Sequence, residues 1–89
     1  MPRHKIELSD RFMDDVRQTG SAAMAQHARR LLDDLAAFPD MGRVAQSPSI
    51  TGRFDEGVRT LVCGSYLLVY RHTEDAVEAL ALYPARIVR

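Results

Sequence analysis

Three histidines, one cysteine and a scatter of arginines are the residues of this chain whose types suit catalysis or ligand binding. Histidine titrates near neutrality and is the commonest general base. His72 closes an apolar run beside Arg71, where it could touch a partner or act as a base, yet no matched acid or nucleophile stands near it in the sequence. His27 lies among charged neighbours in a helical stretch and reads as solvated or partly packed, and His4 reads as part of a terminal tail. Cys63 is the only cysteine. One thiol makes no internal disulfide, and no Cys/His spacing suggests a zinc site. Within a β-forming run it reads as a small core residue, not a reactive thiol. Neither a metal nor a cofactor is expected.

The bulk composition narrows the field further. Eighty-nine residues make a single domain, 1–89, with 46% hydrophobic and 27% charged residues, ordinary for a soluble globule. Twelve basic residues cancel twelve acidic ones, and the only lysine is Lys5. Phosphate contacts need a cationic excess, so strong generic binding to nucleic acid is not expected. The N-terminal stretch lacks a long apolar run, which predicts neither a signal peptide nor a membrane span and makes the cytoplasm the default location.

The elements that must position these residues can be read from periodicity and caps. Lys5 to Leu8 alternates polar and apolar, a strand signal. Ser9 and Asp10 are N-cap candidates for a short helix carrying Phe12, Met13 and Val16. Gly20 suits a left-handed C-terminal position, and Ser21 suits the cap of the next helix. In that helix Met24, Ala28, Leu31, Leu32, Leu35 and Phe38 form one apolar stripe. Arg29/Asp33 and Arg30/Asp34 are possible i,i+4 pairs worth about 0.2–0.5 kcal/mol each. Pro39 ends the helix, because it lacks an amide hydrogen and disfavours α geometry at Phe38. The two helices are expected to form a hairpin, each covering the other's apolar side.

Residues 40–57 show no sustained period and are expected to form an irregular loop. Val58 to Cys63 reads as a strand, Gly64-Ser65 as a two-residue turn, and Tyr66 to Arg71 as a central strand covered on both faces. Ala76 to Leu82 contains strong helix formers, but the short polar connection Thr73-Glu74-Asp75 after a strand favours a hairpin, so a strand is expected. Phe38 should anchor the helix end in the core, Gly42 should let the chain reverse, and Tyr66 and Tyr70 should share one face.

The ordered set Phe38-Pro39-Asp40-Met41-Gly42-Arg43, Arg59, and Gly64-x-Tyr66 with Tyr70-Arg71 resembles the RelE/ParE superfamily of toxins from bacterial toxin–antitoxin pairs. The resemblance implies an α+β fold: an N-terminal strand, an α-helical hairpin, then a three-stranded antiparallel meander forming one twisted sheet. It also implies one of two activities. RelE-like members cleave mRNA on the ribosome; ParE-like members bind and trap DNA gyrase. RNA cleavage without a metal needs a base, cations for the charged phosphorane and an acid. In RelE-like toxins that work resembles a Lys/Arg cluster with a terminal Tyr or His. Here Leu67 stands where an Arg is common, Arg53 is accompanied by Asp55 and Glu56, and the chain after Pro84 carries Arg86 and Arg89 but neither Tyr nor His.

The absences favour a ParE-like gyrase inhibitor, a binding protein that causes growth arrest and serves plasmid stabilisation. The alternatives are a ribosome-dependent endonuclease, with Arg86 and His72 as its catalytic candidates, and a non-toxic paralogue that keeps only antitoxin binding. For the gyrase-directed reading, Arg59, Arg71, Arg86 and Arg89 are the target-binding candidates, since arginine favours interfaces. Arg59 and Arg71 could equally pair with carboxylates of this chain. The implied partner is a ParD-like antitoxin, whose disordered segment folds onto the toxin as a hetero-oligomer. Met13, Met24 and Met41 are the candidates for contacting it, or for the core.

Overall fold

The structure is a computed structural model that describes residues 3–54 and 57–87. In chain order it contains β1 (Lys5–Leu8), α1 (Asp10–Thr19), α2 (Ala22–Ala37), β2 (Arg43–Val44), α3 (Pro48–Thr51), β3 (Arg59–Cys63), β4 (Tyr66–His72) and β5 (Ala76–Pro84), followed by a 3-10 turn over Ala85–Ile87. Strand and helix assignments from the sequence hold for the main elements. The stretch expected to be irregular contains two short elements, β2 and α3.

Local chemistry sets the helix ends. The Ser9 hydroxyl accepts the Phe12 amide at 3.0 Å and donates to the Leu80 carbonyl at 2.9 Å, so one side chain caps α1 and ties it to β5. Gly20 ends α1 at φ 64°, and the Ser21 hydroxyl accepts the Met24 amide at 3.1 Å to start α2. At the other end of α2, Phe38 does not anchor the core: it is 68% exposed. Its backbone has left helical geometry (φ −134°, ψ 75°), which carries the side chain off the buried stripe of Ala28, Leu32, Leu35 and Ala36. Neither Arg29/Asp33 nor Arg30/Asp34 forms an ion pair among the described residues.

The sheet runs β1-β5-β4-β3-β2, with β1 parallel to β5 and every other pair antiparallel. The three-stranded meander is therefore the centre of a five-stranded sheet. One face packs on the helices through Phe12, Leu32, Leu35, Cys63, Leu68, Tyr70, Val77 and Leu82. Tyr66 packs against that same cluster, so it shares a face with Tyr70. On the opposite face Ala45, Ile50, Phe54 and Val58 meet Val69, Leu80, Ala81 and Tyr83. β5 is buried on both faces, so its position in the sheet overrides the helix propensity of its alanines and leucines. Opposite Val69-Tyr70 it carries one extra residue, Leu80, a bulge that turns Leu80 and Ala81 onto the same face.

The helical hairpin is not closed. Between α1, α2 and β1 lies an apolar groove of about 460 Å³, lined by Ile6, Leu8, Phe12, Met13, Ala25 and Leu32 among others. Leu8 and Met13 remain 46% and 39% exposed. β1 is an edge strand, so the groove adjoins an unpaired strand edge. Among the described residues no helix is long and apolar enough to cross a membrane.

Candidate functional site

The signature residues of the 38–43 segment meet β3 and β4 in one hydrogen-bonded clasp. Tyr70, fully buried, donates its hydroxyl to the Pro39 carbonyl at 2.8 Å and accepts the Gly42 amide at 2.8 Å. Gly42 is required here by space and not by chain reversal. Its φ is not positive, but a Cβ would stand 2.6 Å from the Tyr70 hydroxyl and 2.8 Å from the Thr60 carbonyl. Burial pushes the Tyr70 phenol up, partly offset by the Gly42 bond and by the nearby Arg59 charge.

Arg59 completes the clasp. It donates to the Gly42 carbonyl at 2.8 Å and the Asp40 carbonyl at 3.4 Å, and lies 3.6 Å from the Asp40 carboxylate. His72 Nε2 reaches the same Asp40 oxygen at 3.0 Å. His4 is no free tail: its amide donates to Ala36, its ring bonds the Thr73 carbonyl at 3.1 Å, and it meets His72 edge-on at 6.2 Å. The acid that the local sequence lacks near His72 is thus Asp40, brought in by the fold. Among the described residues no hydroxyl or thiol of the chain bonds to His72, so a proton it took as a base would come from a bound molecule. The cluster as it stands fixes a loop.

The other candidate arginines are dispersed. Arg71 faces Glu78 directly across β4 and β5 and donates to it from Nε at 3.0 Å and Nη2 at 2.9 Å. Arg86 is exposed beside Tyr66 and Pro84 and makes no ion pair among the described residues. Arg89 lies outside the described residues, as do Asp55 and Glu56. Leu67 and Thr60 line a groove of about 520 Å³ on the sheet face away from the helices, with Arg43 as its cation, and Val62 on β3 is 66% exposed.

The methionines separate too. Met13 lines the apolar groove. Met24 packs against the β3–β4 turn, with its sulfur 3.7 Å from Cys63 Sγ, and Met41 is 42% exposed near the clasp. Cys63 is fully buried and its thiol is pushed up by that burial, as expected of a core residue. Sequence reasoning missed Glu78, and it missed that Arg11 and Arg53 converge on Tyr83. A cross-strand register finds the first, but only the tertiary fold brings the other three together.

The α+β sheet, the open helical hairpin and the Tyr70 clasp define a scaffold of the RelE/ParE type. The family model of the ParE toxin of the type II toxin–antitoxin system parDE matches residues 6–88, and the chain belongs to this family. No individual curated protein matches it.

Proposed function

We propose that this toxin acts by binding DNA gyrase and is held inactive by a ParD-like antitoxin. The observation that carries the reading is the sheet face around Leu67. An RNA-cleaving site would need several cations converging there, and the groove offers Arg43 beside Leu67 and Thr60. With Arg59 and Arg71 engaged inside the chain, Arg86 is the described candidate best placed to reach a target, with Arg89 following it. Growth arrest and plasmid stabilisation follow from that activity. Purified gyrase should lose supercoiling activity at micromolar toxin, and full activity at that concentration would end the proposal.

The antitoxin would take the apolar groove, since Leu8 and Met13 leave it incompletely covered and an amphipathic segment could fill it. Met13 is then the methionine that contacts it directly, with Met24 beneath the neighbouring turn and Met41 reached only by a segment that continues to the clasp. The position of Arg86 beside Tyr66 favours a second reading, ribosome-dependent mRNA cleavage. Primer extension on translated mRNA would then show A-site cuts that vanish in Arg86→Ala.

A further inference from the structure

Where α1, the turn after α3 and the end of β5 meet, two guanidinium groups converge on one ring. The guanidinium carbon of Arg11 lies 4.9 Å from the Tyr83 ring centroid and that of Arg53 lies 5.6 Å from it. Arg53 also donates to the Tyr83 hydroxyl at 3.4 Å. Together with Asp15, Thr19 and Tyr66 they line a depression of about 390 Å³. Asp15 is the carboxylate among the described lining residues, and it is already engaged: it accepts the Leu82 amide at 2.9 Å and sits 3.7 Å from Arg11 Nε.

Two cations drawn toward one ring repel each other, and the attraction of each for the ring is only about 0.5–1 kcal/mol at an exposed site. An anion in the depression that both arginines line would offset that repulsion. Neither Arg11 Nη atom has a hydrogen-bond partner among the described residues, and Arg53 spends one long bond on the tyrosine. Planar guanidinium forks match phosphate oxygens in pairs. An adjoining depression of about 450 Å³ shares Tyr66 and Pro84 and adds Arg86. It offers an aromatic and a proline surface of the kind on which bases stack.

We propose that this double depression binds a nucleoside phosphate, with the phosphate oxygens held by Arg11 and Arg53 and the base against Tyr66 and Pro84. Binding is reversible and no covalent bond changes. It does not rest on the gyrase reading, because Arg11 and Arg53 are not target-contact candidates there, although its base-binding half adjoins Arg86, which is one.

Calorimetric titration of the purified chain at low salt, with AMP, inorganic phosphate and adenosine as separate probes, tests the site. AMP should saturate with a Kd on the order of 1 mM or tighter, phosphate should bind more weakly, and adenosine should give no saturable heat. Arg11→Gln and Arg53→Gln should each weaken AMP about tenfold, and Arg30→Gln, on the exposed side of α2, should not. Circular dichroism melts of the variants should match the parent chain, as expected for exposed side chains. AMP binding that survives both substitutions overturns the proposal, as does its absence at several millimolar. Phosphate binding as tight as AMP overturns the assignment of a nucleoside.

Discussion

The hydroxyl of Tyr70 and the amide of Gly42 lie 2.8 Å apart at a point where no side chain on residue 42 has room. The contact closes the segment after α2 onto the centre of the sheet. Its two halves fail differently when altered. Tyr70→Phe leaves the Gly42 amide and the Pro39 carbonyl without their partner, which should cost about 1–3 kcal/mol. Gly42→Ala drives a methyl group into the phenol and the Thr60 backbone and should cost about 1–3 kcal/mol by overpacking. Urea midpoints read both, and a neutral Gly42→Ala would disprove the close approach.

Alkaline pH should weaken the fold. Cys63 and Tyr70 both have raised values in the folded state, from 9.0 and 10.0 respectively, each chiefly by burial. Between its unfolded and folded values each group stays protonated in the folded chain while the unfolded chain releases the proton. Unfolding then releases protons, and stability falls as pH rises. The contribution is complete below pH 9 and declines above it. Denaturation at pH 7 and pH 10 should show the drop, and Cys63→Ala should shrink its first part.

Arg59 and Arg86 should separate stability from target action. Arg59→Ala removes bonds to two carbonyls and should lower stability by about 1–3 kcal/mol. Asp40→Asn should cost less than about 1 kcal/mol, because the Asp40 side chain is 77% exposed and its pairs with Arg59 and His72 are screened. Arg86→Ala should leave the melting temperature unchanged and reduce gyrase inhibition severalfold. Equal loss of inhibition and of stability in Arg86→Ala would remove it from the target surface.

The apolar groove gives the antitoxin prediction. Met13→Glu puts a charge among Ile6, Leu8 and Phe12 on an already exposed position, so the fold should tolerate it while affinity for the cognate antitoxin falls at least about tenfold. A binding titration with the antitoxin's C-terminal segment measures this. Met41→Glu, near the clasp, should have a smaller effect, and the reverse order would move the partner's main contact from the groove to the clasp.

Much of the fold is legible in the sequence because its signals are local. Ser9, Gly20, Ser21 and Pro39 mark the helix ends through backbone chemistry that needs no tertiary partner. Gly64-Ser65 marks the hairpin in the same way, with Gly64 at φ 61°. The strand at Ala76–Pro84 required an argument from position, since its residue types alone suit a helix. What escaped was non-local. Phe38 continues the helical stripe in number but not in space, because the residue capping a helix no longer follows its rotation. β2 and α3 are two and four residues long, too short for any period to declare them. Arg59 and Arg71 suit either an interface or an internal pair by sequence, and the partners Asp40 and Glu78 are set by the fold, one brought by a loop and the other by strand register.

The parallel pairing of β1 with β5 sets a timetable for the toxin's own synthesis. The first strand of the chain has no partner until residues 76–84 have been made, and β5 is also the strand on which α1 is tied through Ser9 and Leu80. Contacts of such long sequence separation form late, after the intervening chain has been drawn together. A nascent chain that has completed its helical hairpin still exposes the whole underside of that hairpin. Assembly of the folded sheet is therefore deferred until β5 has been made, a delay that would give a co-expressed antitoxin time to be waiting for it.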